Sequence, residues 1–148
     1  MVAGEVAFNS GHVRNVSRML AFKLDGKAAL PLLPPAQEPV LNPPPSIAST
    51  ATIHRGEAVY QRFCSGCHGD VAVSGGLVPD LRYSSFLTSE SWFAIVRGGE
   101  LHSEGMVGFA KEVSEEDAAA IRSYIIFRAN QTVNDAKAAA KSEAGKSR

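Results

Sequence analysis

The sequence has no excess of charge of either sign, no long apolar run and very little cysteine. Lysine plus arginine number 15, as do aspartate plus glutamate, in 148 residues, so no global basic field points to a nucleic-acid partner. No apolar run approaches the roughly 20 residues that cross a bilayer, and a soluble chain without a transmembrane segment is expected. The opening MVAGEVAFNSG has neither a basic start nor a continuous apolar stretch, so it does not read as a secretory signal. Proline is almost absent outside one stretch, with seven of the eight between positions 31 and 51. Both cysteines fall in FCSGCHG, residues 63 to 69, where a histidine directly follows the second.

These features divide the chain into four parts. In residues 1–30, RMLAFKL (18 to 24) alternates as a half-buried strand does and leads into the turn dipeptide Asp25-Gly26. One or two strands do not make a stable unit. The piece therefore reads either as the edge of something larger or as a disordered N-terminal arm. The proline density of residues 31–51 excludes helix and sheet and predicts a semi-rigid polyproline II linker. A ligand for proline-binding domains is disfavoured, because no basic residue flanks the prolines.

Residues 52–130 carry the periodic segments and predict an all-α domain of three helices. The first runs from about Ile53 into the cysteine motif, with Thr52 as N-cap and Gly56, Val59, Tyr60 and Phe63 on one face. The second covers Ser89 to Arg97, turns Trp92, Phe93 and Val96 inward and stops at Gly98-Gly99. The third starts at a capping-box-like Ser114 and Asp117 and places Ile121, Tyr124 and Ile125 together. Residues 131–148 are rich in alanine and lysine with no apolar stripe; the segment allows a helical extension near Ala136 to Lys141 that nothing would pack down, and it reads as a mobile, mildly basic tail.

Cys64, Cys67 and His68 stand at i, i+3 and i+4, so one helical turn presents all three on one side. A redox dithiol of the thioredoxin type needs its CxxC in a βαβ unit, and none is readable. A structural zinc site needs four ligands, and His12, His54 and His102 match no finger spacing. Covalent haem uses every feature: the thiols add to the porphyrin vinyl groups and the adjacent imidazole becomes the proximal iron ligand. Phe63, Leu81, Tyr83, Phe86, Trp92, Phe93, Val96, Leu101 and Phe109 suit a core that wraps such a disc, although each alone is equally an ordinary core residue. For the sixth iron position Met106, in GELHSEGMVGF, is the candidate thioether, with His102 or an open site as alternatives.

At this point the residues resemble class I cytochrome c, with a helix ending in CxxCH, a loop, a middle helix, a methionine loop and a terminal helix. The resemblance covers residues 52–130. It implies that Gly56 and Tyr60 on the first helix meet Ile121 and Tyr124 on the last. It also implies that the Pro79 carbonyl accepts the Nδ1–H of His68. CSGCHGDVAVSGGLVPDLR, FAIVRGGELHSEGMVGF and AAAIRSYIIFRAN are more narrowly similar to the C-terminal cytochrome domain of quinohaemoprotein alcohol dehydrogenases, and RMLAFKLDGKAALP to the closing strand of their propeller.

That similarity implies one haem c held through Cys64, Cys67, His68 and Met106, with Pro79, Leu81, Arg82 and Trp92 around it and Arg82 and Arg97 as partners for the propionates. The pyrroloquinoline quinone and calcium of the family belong to the absent propeller, so no residue here inherits a catalytic role. The implied function is electron transfer from a quinoprotein dehydrogenase domain to an external acceptor: a cytochrome, a copper protein or a quinone. Residues 52–130 hold seven Lys/Arg against ten Asp/Glu, so steering toward an acidic partner is not expected. Haem c attachment implies a periplasmic parent, which, without a signal peptide, makes the chain an excised domain, a gene fragment or a truncated frame. The alternatives are a free-standing electron carrier, against which the strand-like N-terminal piece argues, and a non-functional remnant.

Overall fold

A computed structural model describes residues 22–29, 32, 40–74 and 78–146. Most of the predicted strand at 18–24, with Met19, lies outside the described residues, as does His12. Within it, Phe22, Lys23 and Leu24 pair with no strand, and a turn closes where Gly26 N donates to Lys23 O at 3.1 Å. Among the described residues the protein is helical, with no strand.

Helix α1 spans Thr50–Phe63, a single turn α2 spans Ser65–His68, α3 spans Ser91–Val96 and α4 spans Glu115–Lys146. Three single-turn 3-10 helices, Leu81–Tyr83, Ser85–Thr88 and His102–Glu104, interrupt the loops. The N-cap of α1 is Ser49, not the expected Thr52: its extended backbone (φ −65°, ψ 154°) continues the linker, and its hydroxyl accepts from Thr52 N at 3.1 Å. The start of α4 is the capping box expected from sequence, with Asp117 N donating to Ser114 Oγ at 3.0 Å and the Asp117 carboxylate accepting from the Ser114 hydroxyl at 2.7 Å. That hydroxyl, followed by the guanidinium of Arg55, holds the Asp117 carboxyl below its usual range.

Beyond residue 130 the helix continues to Lys146, where the sequence predicted a tail. Glutamine, alanine and lysine extend an already nucleated helix at little cost, and propagation does not require a packed face. From Asn134 onward every described side chain is exposed.

The core forms where α1 crosses α4. Gly56 lies so close to α4 that an added Cβ would stand 2.0 Å from Ala120 O and 3.0 Å from Tyr124 Cβ. The rings of Tyr60 and Tyr124, each at most 1 % exposed, lie 5.3 Å apart, and Ile121 and Ile125 complete the seam. The expected meeting of Gly56 and Tyr60 with Tyr124 is therefore present, but the carbonyl of Ala120, not Ile121, is what presses on Gly56. Helix α3 joins through Trp92, whose indole N–H donates to Ala118 O at 2.8 Å, and Ile95 is buried with it. Across the rim Arg55 bonds Asp117 at 2.9 Å and also pairs with Glu116.

One buried bond ties this crossing to the cysteine motif: Tyr60 Oη donates to Gly69 O at 2.7 Å. Burial pushes the phenol far up its titration range, so it remains a donor at any working pH. The same carbonyl also accepts from Ala72 N at 3.3 Å, so Tyr60→Phe removes the stronger of its two bonds and is expected to lower stability by about 1 kcal/mol, read as a shifted denaturation midpoint. A midpoint unmoved by the substitution would show that the Ala72 N–H alone is enough to satisfy Gly69.

Candidate functional site

The cysteine motif begins where α1 ends. Cys64 caps α1, its N–H donating to Tyr60 O at 2.8 Å, while its carbonyl accepts from Cys67 N at 3.2 Å and His68 N at 2.9 Å. The next residue, Gly69, has φ 82°, and a Cβ there would meet Val73 O at 2.1 Å, so only glycine allows the chain to turn away directly behind the histidine. Both thiols are free, Cys64 half-buried and Cys67 exposed. Burial, reinforced by the neighbouring Cys67, pushes the Cys64 thiol up to about 12. Dithiol catalysts depend on the opposite shift, toward a stabilised thiolate. Among the described residues, no cluster of three or more His, Cys, Asp or Glu is arranged to hold a metal, and His54 and His102 are both exposed.

His68 is oriented from below. Its Nδ1 lies 2.9 Å from Pro79 O, and a carbonyl can only accept, so Nδ1 carries a proton and the neutral ring has its lone pair on Nε2. A neutral imidazole in this tautomer is what a metal ligand requires. The carbonyl is itself held in place. Asp80 caps the turn Leu81–Tyr83 by accepting from Arg82 N at 3.1 Å, and the Arg82 guanidinium returns to the same carboxylate at 3.0 and 2.7 Å. Arg82 Nη1 also donates to Thr132 Oγ1 of α4 at 2.9 Å, which anchors the loop to the terminal helix. Arg82 and Arg97, the propionate partners implied by resemblance, thus both have protein partners, Arg97 through Nε to Val113 O at 3.0 Å.

Met106 stands in a loop tied at several points: His102 N donates to Gly99 O at 2.9 Å, Met106 N to Leu101 O at 3.1 Å, and Phe109 N to Val96 O at 2.9 Å. Gly105, at φ 93°, turns the chain just before it. Met106 is half-buried against the core, whereas His102 is exposed. Cys64, Leu81, Phe63, Phe93 and Phe109 pack against the same core, each also half-buried, with the rings of Phe63 and Phe109 6.0 Å apart. Trp92 lies deeper, 3 % exposed, its polar tip bonded to α4.

These residues fit a covalent haem. Two free thiols sit on one turn beside an imidazole with an available Nε2, a half-buried thioether joins the same cluster, and several large apolar side chains remain only partly covered. The sequence indicated every member of that set. It did not indicate the Asp80–Arg82–Thr132 lock, whose Arg82–Thr132 bond spans 50 positions, or the Tyr60–Gly69 bond, which spans nine and follows no helical or strand period.

Comparison with known proteins agrees. Residues 51–125 match the family described as Cytochrome C oxidase, cbb3-type, subunit III. The chain is 42 % identical over 135 residues to the dehydrogenase subunit of Alcohol dehydrogenase (quinone) of Gluconobacter oxydans, covering 89 % of this chain and 17 % of that protein. It is 40 % identical over 130 residues to Quinohemoprotein alcohol dehydrogenase ADH IIB of Pseudomonas putida, covering 86 % and 19 %. The solved structure of quinohemoprotein alcohol dehydrogenase ADHIIG from Pseudomonas putida superposes with a TM-score of 0.58 at 37 % identity, over 69 % of this chain and 15 % of that one. The chain therefore spans under a fifth of the length of these relatives. With 75 of its 148 residues matched to the family, the protein belongs to the cytochrome c family.

Proposed function

We propose that residues 52–130 form an electron-transfer domain with one haem c, which takes electrons from a quinoprotein alcohol dehydrogenase domain and passes them to an external acceptor: a cytochrome, a copper protein or a quinone. Bound haem c supplies one-electron cycling between Fe(III) and Fe(II). Cys64 and Cys67 would hold it covalently, and the Nε2 of His68 and the thioether of Met106 would bind its iron. The Pro79 carbonyl keeps the His68 proton on Nδ1 and strengthens the ring as a donor. Met106, as an iron ligand, would keep substrates from the metal and raise the reduction potential. Leu81, Phe63, Phe93 and Phe109 exclude water, Trp92 supports them from the core, and Arg82 holds the Pro79 loop through Asp80.

On this reading the chain catalyses no alcohol oxidation. Pyrroloquinoline quinone and calcium belong to the dehydrogenase domain, and a periplasmic location follows from where haem c is attached. The observation that carries the reading is the 2.9 Å contact of His68 Nδ1 with Pro79 O inside a Cys-x-x-Cys-His turn.

The test is an absorption spectrum, ferric and dithionite-reduced, of protein exported and co-expressed with a haem-attachment system, followed by acid–acetone extraction. Haem that stays with the protein, and a ferric thioether-to-iron charge-transfer band, are expected. Colourless protein despite export would refute the assignment. Met106→Ala should abolish the band and leave covalent haem content unchanged, whereas His102→Ala should leave both intact. Loss of the band in the His102 variant alone would move the sixth ligand to that residue.

A further inference from the structure

The part of the linker from residue 40 on does not hang free of the domain. Leu41, Pro43, Pro44 and Ala48 are half-buried, and Asn130 Nδ2 donates to Pro44 O at 2.8 Å across 86 positions of sequence. The same nitrogen donates to Ile126 O at 2.9 Å, one turn back in α4. A primary amide has two N–H groups, so both are committed. One fixes the side chain to its own helix and the other reaches the linker. Two residues further on, Thr132 accepts from Arg82, whose guanidinium grips Asp80 next to the carbonyl partner of His68. One turn of α4 thus holds both the linker and the loop that orients the histidine.

We propose that Asn130 is a positioning residue that straps the proline-rich linker to α4 and fixes where the chain preceding residue 40 leaves the cytochrome domain. Proline has no N–H to offer, so carbonyls are the linker's main polar handles, and the amide of Asn130 takes one of them. The strap turns residues 40–49 from a swinging tether into part of the domain surface. A domain joined through the linker is then presented in a narrow range of orientations, a consequence for electron entry that rests on the function proposed above. The strap itself does not depend on that reading.

The test uses the haem-loaded full chain, reduced and labelled with nitrogen-15, and measures the heteronuclear NOE of the Leu41, Asn42 and Ile47 amides beside those of α1. In the unaltered protein Leu41 and Asn42 are expected at the level of the helix. In Asn130→Ala and in Asn130→Asp both should fall to the values of a free chain, with the visible spectrum and the α1 amides unchanged. The aspartate variant keeps the shape and removes the donors, so it separates the hydrogen bond from packing. Linker amides already mobile in the unaltered protein would overturn the proposal, as would order that survives in either variant. A chain that proves to bind no haem, yet whose linker order follows residue 130, would refute the electron-transfer reading and uphold the strap.

Discussion

Replacing both Cys64 and Cys67 by serine is expected to abolish covalent haem and, with it, the cooperative fold. The reason is how the apolar groups around the motif are left. Phe63, Leu81, Phe93, Met106 and Phe109 pack on the core yet stay partly exposed. Full burial of one such side chain is worth about 1.5–3 kcal/mol. Five groups that miss part of that contribution forgo several kcal/mol, in a domain whose whole stability is on the order of 5–15 kcal/mol.

Haem staining of a denaturing gel and helical circular dichroism read the two losses separately. The single variants should differ. Cys67 is exposed and Cys64 half-buried at the end of α1, so Cys67→Ser should retain haem through one thioether more readily than Cys64→Ser, which disturbs the core as well. A double variant that is colourless but folds as stably as the parent would mean that the protein core is complete without the cofactor. The thiols would then need another explanation.

Much of this site is legible in the sequence because its chemistry is local. One helical turn contains both thiols and the imidazole, so spacing alone brings them together. Ser114 and Asp117 likewise make their capping box within four residues. Pro79 is different: it is eleven residues from His68, and only the family resemblance pointed to it before the structure placed its carbonyl at 2.9 Å.

Where the structure departs from the sequence pattern, the cause is physical. Ser49 caps α1 because the extended linker backbone ends there, and a run with hydroxyls at positions 46, 49, 50 and 52 offers the sequence several equivalent choices. The end of α4 runs beyond the extension that the sequence allows at Ala136 to Lys141, because a helix nucleated by packing at Ile121 to Ala129 needs only good helix formers to continue. The bond between Asn130 and Pro44 joins residues 86 positions apart, so no window of sequence contains both.

Gly56→Ala provides the other large effect, and here two terms oppose each other. In an exposed helix interior alanine is favoured over glycine by about 1 kcal/mol. At position 56 the new Cβ would lie 2.0 Å from Ala120 O and 2.5 Å from Ala120 C. Both are backbone atoms of α4, so no rotamer change relieves the clash. The helices must move apart, and the Tyr60–Tyr124 pair opens with them. Overpacking costs about 1–3 kcal/mol where side chains can adjust and more where backbone must move. The cost therefore wins, and a net loss of about 2–3 kcal/mol is expected.

For a domain of this size each kcal/mol is worth about 4–8 °C, so the melting midpoint of the haem-loaded protein should fall by roughly 10–20 °C. Gly145→Ala is the matched control: it lies near the exposed end of α4, and a Cβ there meets nothing within 4 Å. It should leave the midpoint unchanged or raise it slightly. If both alanine variants behave alike, helix propensity governs position 56 and the two helices do not approach as closely as the 2.0 Å contact requires. If only Gly56→Ala melts early, close approach of backbone to backbone at that glycine is what sets the α1–α4 crossing on which Cys64 and His68 are mounted.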